Sequence, residues 1–398
     1  MWIIGFLFHE MAFGLLSIFL PLYITGSLGG SLIDIGIMAA LANFVAVPFS
    51  YFWGYLCDKT RRYRIYILLS FSAMTVLLFL FSLTNILVIL IAVYSVIAVF
   101  HVAHEAPKNV LISESYSQNE WKKGFASYEA LTELGWLSGL ILGFVLFGYG
   151  FSGTTLILLC SALNLIAFVT ALLFVKDPIL IFERRLVGIE RTLSFAHKGI
   201  SLASQALDGL QIKENLRREN LSIFCAGLLL FSLTASMLFT PLPVFFSTNL
   251  GIPRNLVFGI FALNTTGSFL GYVLAGKMAQ KLDGRTVIKR ANLVRGILPW
   301  ILLSTVIWPS VFTLTLSVIA LIIMGMTYGF FLISILSLSM ELIPEGKAGL
   351  FNALVGLGGA SGCYIGSYMA ENYGFPILFI IVSIGFFLSF IAFKTFAK

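Results

Sequence analysis

Apolar runs of about 20 residues, the length a helix needs to cross hydrocarbon, follow one another along nearly the whole chain. Twelve spans are expected. The first six are Trp2–Thr25, Leu32–Leu56, Ile65–Leu83, Ile86–Ile112, Phe125–Tyr149 and Thr155–Val175. The second six are Leu221–Thr248, Leu256–Met278, Val287–Ile307, Val311–Leu338, Ala348–Glu371 and Phe375–Phe396. Only 11% of the 398 residues are charged, too few to cover the surface of a water-soluble protein of this size. The expected class is an all-α polytopic membrane protein with the lipid bilayer as its solvent. A net charge of +7 does not point to nucleic acid, because the cations lie in short links between apolar runs. Cys57, Cys160, Cys225 and Cys363 sit in or beside apolar runs at no metal spacing, which argues against a disulfide framework and a zinc site. The first run has no basic stretch before it and is too long for a removed signal, so it reads as the first membrane helix.

Charge placement tests the count. With the N-terminus in the cytoplasm, alternate links face the cytosol and should collect lysine and arginine. One such link holds Lys59, Arg61, Arg62 and Arg64, and the next holds Lys122 and Lys123. The long segment Lys176–Asn220 holds Lys176, Arg184, Arg185, Arg191, Lys198, Lys213, Arg217 and Arg218; Lys277, Lys281, Arg285, Lys289 and Arg290 follow, then Lys347, Lys394 and Lys398. The opposite links carry only Arg254. One miscounted helix would invert everything after it, so the split supports twelve spans with both termini cytoplasmic. The segment 176–220 separates residues 1–175 from residues 221–398, six runs on each side. Within it Leu186, Ile189, Leu193, Ile200, Leu207 and Leu210 recur at helical spacing, the pattern of an amphipathic helix lying on the membrane face. A weak repeat relates the halves. Gly54…Lys59 recurs as Gly276…Lys281, and Gly135, Gly139 and Gly143 in the fifth run are echoed by Gly358, Gly362 and Gly366 in the eleventh. Small residues every four positions let membrane helices pack backbone to backbone.

The link after the second run carries Gly54, Leu56, Cys57, Asp58, Lys59, Arg62 and Arg64 in order. This resembles the loop between helices 2 and 3 of the major facilitator superfamily. Arg61 stands where the family usually has glycine, so a looser turn is expected. The resemblance implies two six-helix bundles related by a pseudo-two-fold axis, rocking about a central solute site. It also implies a cytoplasmic latch formed by Gly54, Asp58, Lys59 and Arg62, with Asp58 facing the start of helix 11 at Gly346–Ala348. Drug exporters of the superfamily often carry a Gly-Pro signature in helix 5, and helix 5 here has no proline.

Ionisable groups are costly inside hydrocarbon, so each is a functional candidate. His101, His104, Glu105 and Lys108 fall at i, i+3, i+4 and i+7 of the fourth run, on one helix face. Glu129 and Glu133 lie one turn apart in the fifth run, and His9 and Glu10 lie in the first. Counted from a turn near Asn119, Lys108 matches Glu129 in depth and His104 matches Glu133. A polar cluster is therefore expected, with Lys108 paired to Glu129 or Glu105. Acids left without a cation could carry protons; Glu10, Glu105, Glu129 and Glu133 are the candidates, with His101. The alternative is a static ion pair of Lys108 with Glu105 and Glu129, snorkelling to the interface. A metal site is not expected, because His104 and Glu105 are adjacent and no further ligand set is visible in the pattern. Substrate-binding candidates are His104, Lys108, Asn264, Thr265, Tyr328 and Asn352, with Lys108 or His104 meeting an anionic group. Arg295 is expected near a helix end, snorkelling outward.

The function read from these features is secondary active transport of a small organic solute by alternating access, coupled to protons, by a monomer in the cell membrane without a cofactor. Export of lipophilic drugs or lipids is the alternative within transport. A non-transporting receptor or scaffold on the same fold is the alternative of another class. An enzyme is not expected, since no His-Glu-x-x-His or Gly-x-Ser-x-Gly pattern occurs.

Overall fold

In hydrocarbon a backbone N–H finds no water, so each apolar run must close its own hydrogen bonds as helix. The computed structural model describes residues 2–115, 121–177, 221–278, 283–342 and 349–396, and all regular structure among them is helical. We number the membrane helices in chain order. The first six are α1 (Ile4–Ser27), α2 (Leu32–Thr60), α3 (Tyr63–Ser82), α4 in two pieces (Leu87–His101 and Glu105–Ser115), α5 (Trp121–Gly148) and α6 (Gly153–Phe174). The next six are α7 (Leu221–Phe239), α8 (Arg254–Met278), α9 (Gly284–Ile307), α10 (Val311–Leu342), α11 (Gly349–Asn372) and α12 (Phe375–Phe396). After α7 the chain runs through a short turn, Leu242–Val244, and a π-helical turn, Phe245–Asn249.

Polar side chains start the helices where apolar sequence cannot. Ser31 accepts from the Asp34 N–H while Asp34 accepts from the Ser31 N–H, a reciprocal cap at the start of α2. Asp283 accepts from the N–H groups of Arg285 and Thr286 and from the Thr286 hydroxyl, and those bonds hold its carboxyl below the usual range. Eleven helices among the described residues are long and apolar enough to cross a membrane. The twelfth expected span, α11, misses that measure because glycine, serine and asparagine dilute it, yet it packs along both α2 and α7.

The packing repeats itself six helices on. In the first half α1 packs on α5 and α6, α3 on α6, and α2 on α4; in the second α7 packs on α11 and α12, α9 on α12, and α8 on α10. The halves meet along α2–α11 and α5–α8. Glycines set the closest approaches. A Cβ on Gly139 would strike the Met11 carbonyl of α1, and one on Gly362 would strike the Leu233 carbonyl of α7. The spaced glycines of the fifth and eleventh runs thus do the same work in the two halves. Gly143 differs, taking the Phe258 ring of α8 across the seam. At the other end of that seam, Gly276 faces Ala126, whose Cβ would lie 3.0 Å from one built on the glycine. One further bond crosses between halves where α2 begins: the Ile33 N–H donates to Glu371 at 2.8 Å.

The link between α2 and α3 is tight, contrary to expectation. Arg61 takes φ 54° and its N–H closes on the Cys57 carbonyl at 2.9 Å. An arginine here adopts the left-handed conformation that glycine usually supplies. Asp58, Lys59 and Arg62 are exposed, with Lys59 Nζ 5.8 Å from the Tyr55 ring centre, and Gly54 faces Ala106 of α4. Arg64 ties α3 to the end of α6, its N–H on Asp177 at 2.8 Å and its guanidinium on the Leu172 carbonyl at 2.6 Å. The start of helix 11 that the latch would need, the amphipathic segment and Lys281 lie outside the described residues.

A left-handed backbone costs a non-glycine residue on the order of 1 kcal/mol. Arg61→Gly is therefore expected to raise the thermal midpoint of the detergent-purified protein, by about 0.5–1 kcal/mol of stability. A lower midpoint would mean that the guanidinium makes a contact worth more than the strain.

Candidate functional site

The site begins with a break in α4. Pro107 has no N–H to give the Ala103 carbonyl, and its ring presses on that same carbonyl. The helix tightens into a 3₁₀ turn over Val102–His104 and restarts at Glu105. The single run expected over 86–112 is thus two pieces, with His101 ending the first piece and His104 ending the turn.

Three histidines meet there. His9 of α1 is fully buried; its Nδ1 lies 2.7 Å from Asn164 Oδ1 of α6 and its Nε2 lies 3.1 Å from His101 Nδ1. Asn164 donates its amide N–H to the Cys160 carbonyl at 2.9 Å, which turns its oxygen toward His9. The proton of His9 therefore sits on Nδ1, and its Nε2 accepts from His101. His104 reaches Ser70 of α3 through Nδ1 at 3.1 Å, while its Nε2 faces Glu105 at 3.4 Å without a hydrogen bond. Phe6, Phe13 and Phe71 pack on the imidazole rings.

Glu105 joins this group to a cavity. Its carboxylate holds Lys108 Nζ at 2.6 Å, and Lys108 also lies 5.2 Å from the Tyr128 ring centre. Glu105, not Glu129, is the partner of Lys108. The cavity, about 640 Å³, opens between the halves and takes its walls from α1, α2, α4, α5, α7, α8, α9 and α10. From the first half Glu10, Glu105, Lys108, Glu129 and Glu133 line it. None of Glu10, Glu129 or Glu133 forms an ion pair among the described residues. Glu133 and Ser268 of α8 line the cavity on the two sides of the seam.

The second half contributes a cation. Arg295 is 2% exposed and lines the same cavity. Its guanidinium donates to the Met324 carbonyl at 2.7 Å and to Thr327 at 3.3 Å, and lies 5.2–5.6 Å from the ring centres of Phe231, Tyr328 and Phe386. No carboxylate pairs with it among the described residues. The expectation that it snorkels is wrong. Its side chain turns inward because the Met324 carbonyl, Thr327 and three aromatic rings give the guanidinium partners there.

Asn264, Thr265 and Tyr328 line the cavity as expected. Asn264 spends its amide on the Leu321 carbonyl at 2.6 Å, so part of its hydrogen-bonding capacity ties α8 to α10. Asn352 is exposed and does not line the cavity; it lies near the start of α11, a helix that contributes no lining residue. His101 and His104 stand behind the lining. The sequence reading missed Asn164, Ser70 and Ser268, neutral groups that charge counting passes over. Pro107 was the available sign of the α4 break.

The sequence profile of the Major Facilitator Superfamily matches residues 2–363. An uncharacterised MFS-type transporter of Methanocaldococcus jannaschii is 25% identical over 170 residues, 42% of each chain; the similarity spans less than half of that relative. Among solved structures, the nucleoside transporter NupG superposes with a TM-score of 0.73 and 15% identity, over 100% of this chain and 98% of its own. The human organic anion transporter MFSD10 superposes at 0.71 with 15% identity, over 98% and 97%. At these identities the structural likeness is one of fold.

Removing one member of a buried pair strands the other in low dielectric. Glu105→Gln and Lys108→Gln are each expected to destabilise by about 1–3 kcal/mol, since the pair is only partly exposed. The double variant should recover much of that loss, read as thermal midpoints in a double-mutant cycle. Strictly additive losses would show that the two side chains do not depend on each other.

Proposed function

The chain belongs to the major facilitator superfamily, and within it we propose a proton-coupled secondary transporter of a small organic solute that bears an anionic group. Residues 1–175 and 221–398 form the two bundles, which rock about the cavity, with Asp58 and its neighbours latching the cytoplasmic side. The protein acts as a monomer in the cell membrane with both termini inside.

The observation that carries this reading is the division of charge across one cavity. Closing a transporter over its solute expels water, and each unpaired charge then faces the full cost of desolvation. Glu10, Glu129 and Glu133 have no cation partner among the described residues, so closure favours their neutral, protonated forms. Arg295 has no carboxylate partner either, and it cannot shed its charge. A substrate carboxylate or phosphate would satisfy it. Lys108, which the sequence alone put forward for that role, is already held by Glu105. Tyr328 beside Arg295, with Thr265 and Asn264 of the same lining, can meet the polar body of the solute. The second reading, export of lipophilic cations, is favoured by the same unpaired acids set among Tyr94, Tyr128 and Trp136; there the substrate would replace the protons.

In liposomes, Glu10→Gln or Glu133→Gln is expected to abolish accumulation driven by a pH gradient while counterflow exchange persists. Undiminished gradient-driven accumulation in both would sink the coupling. A thermal-shift screen of organic acids, nucleosides, sugars, amino acids and lipophilic cations separates the substrate classes. Stabilisation by one class of organic anion, reduced at least about tenfold in apparent affinity by Arg295→Lys, is the expected result. Stabilisation by lipophilic cations that survives Arg295→Lys would establish the second reading.

A further inference from the structure

We infer that His9, His101 and His104 bind one transition-metal ion of the Zn²⁺ type, which clamps α1 to the broken α4. This does not rest on the proposed transport reaction, because the three histidines lie outside the cavity lining.

Geometry carries the inference. One ligand nitrogen from each ring lies within 4.8 Å of the other two. Around a tetrahedral ion with bonds of about 2.0–2.1 Å, ligand nitrogens stand about 3.3 Å apart. The His9–His101 pair, at 3.1 Å, already has that spacing. The third ring needs a shift of about 1.5 Å to match it, within the play of a side chain beside a 3₁₀ turn.

The surroundings suit a ligand set. Metal-bound histidines hand their other nitrogen to an outer partner that fixes the ring. Asn164 does this for His9, and Ser70 stands in the same relation to His104. Asn164 also directs His9 Nε2 inward with a free electron pair, now shared with His101. An independent sign is His104 Nε2, buried to 1% exposure of the residue and without a hydrogen bond. A buried polar atom left unmatched in hydrocarbon is costly. Glu105, 3.4 Å from that atom, stands where a fourth ligand would enter. Imidazole donors select Zn²⁺, Co²⁺, Ni²⁺ or Cu²⁺ and discriminate against Mg²⁺ and Ca²⁺, which prefer oxygen. His9 on α1 lies far in sequence from His101 and His104 on α4, so a bound ion would fix one helix to the other where α4 is interrupted.

The test uses the full chain, purified without a histidine tag. The sequence has four histidines, and the fourth, His197, serves as the control. After equilibration with Co²⁺ or Zn²⁺ and removal of free metal, one ion per chain should remain, and Co²⁺ should show the visible absorption of a tetrahedral nitrogen site. His197→Ala should retain the ion. His101→Ala, at the least buried of the three positions, should lose it, and Zn²⁺ should no longer raise its thermal midpoint. Asn164→Ala leaves all three imidazoles in place and should weaken binding by about 10–100-fold. The inference is overturned if the wild-type chain retains no ion, or if His101→Ala retains it as the wild type does.

Discussion

Hydrocarbon supplies no counter-charge, so a membrane protein must place every charge beside something that tolerates it. The contact of Lys108 with Glu105 is where this chain meets that demand most directly, and the rest of the polar core is arranged around it. On one side Glu105 touches the histidine group; on the other the pair opens into the cavity. Arg295 meets the same demand differently. Its guanidinium rests among three aromatic rings and a backbone carbonyl, partners that soften the charge without cancelling it. One cation is thus paired with a carboxylate inside the protein, and the other has none among the described residues.

The two halves share their packing and divide their chemistry. Glycine seams on α5 and α11 bring equivalent helix pairs, α5 with α1 and α11 with α7, into backbone contact. The carboxylates, however, all lie on the first half of the cavity wall and the lone guanidinium on the second. The angle between the halves sets the spacing of these opposite charges across one cavity, and the α2–α11 and α5–α8 seams, with the bond from Ile33 to Glu371, hold that angle.

Much of this was legible before the structure. Apolar runs dictate helices because nothing else satisfies the backbone in lipid, and the glycine repeat announced the two matching seams. The face formed by His104, Glu105 and Lys108 followed from helical spacing. What escaped was whatever depends on partners distant in sequence. His9 is one residue in a long apolar run until α4 and α6 are brought against it. Asn164 and Ser70 carry no charge, so they leave no trace in a search for charges. Arg295 was misjudged because the groups that hold it inward, Phe231, Met324, Thr327, Tyr328 and Phe386, come from three other helices. Arg61 showed the reverse lesson: a residue type unsuited to a conformation was read as relaxing the turn, when the packing of α2 against its neighbours imposes the turn regardless.

The interruption of α4 creates a helix N-terminus in the middle of the polar core. Glu105 occupies the first turn of the restarted piece, its own N–H taken by the Val102 carbonyl, and there the helix dipole favours an acid. Its carboxylate thus has a second source of stabilisation that belongs to the backbone and cannot swing away. If Lys108 turns toward a solute, Glu105 is not left bare. The break at Pro107 thereby sets a backbone dipole beside the same carboxylate that holds the lysine.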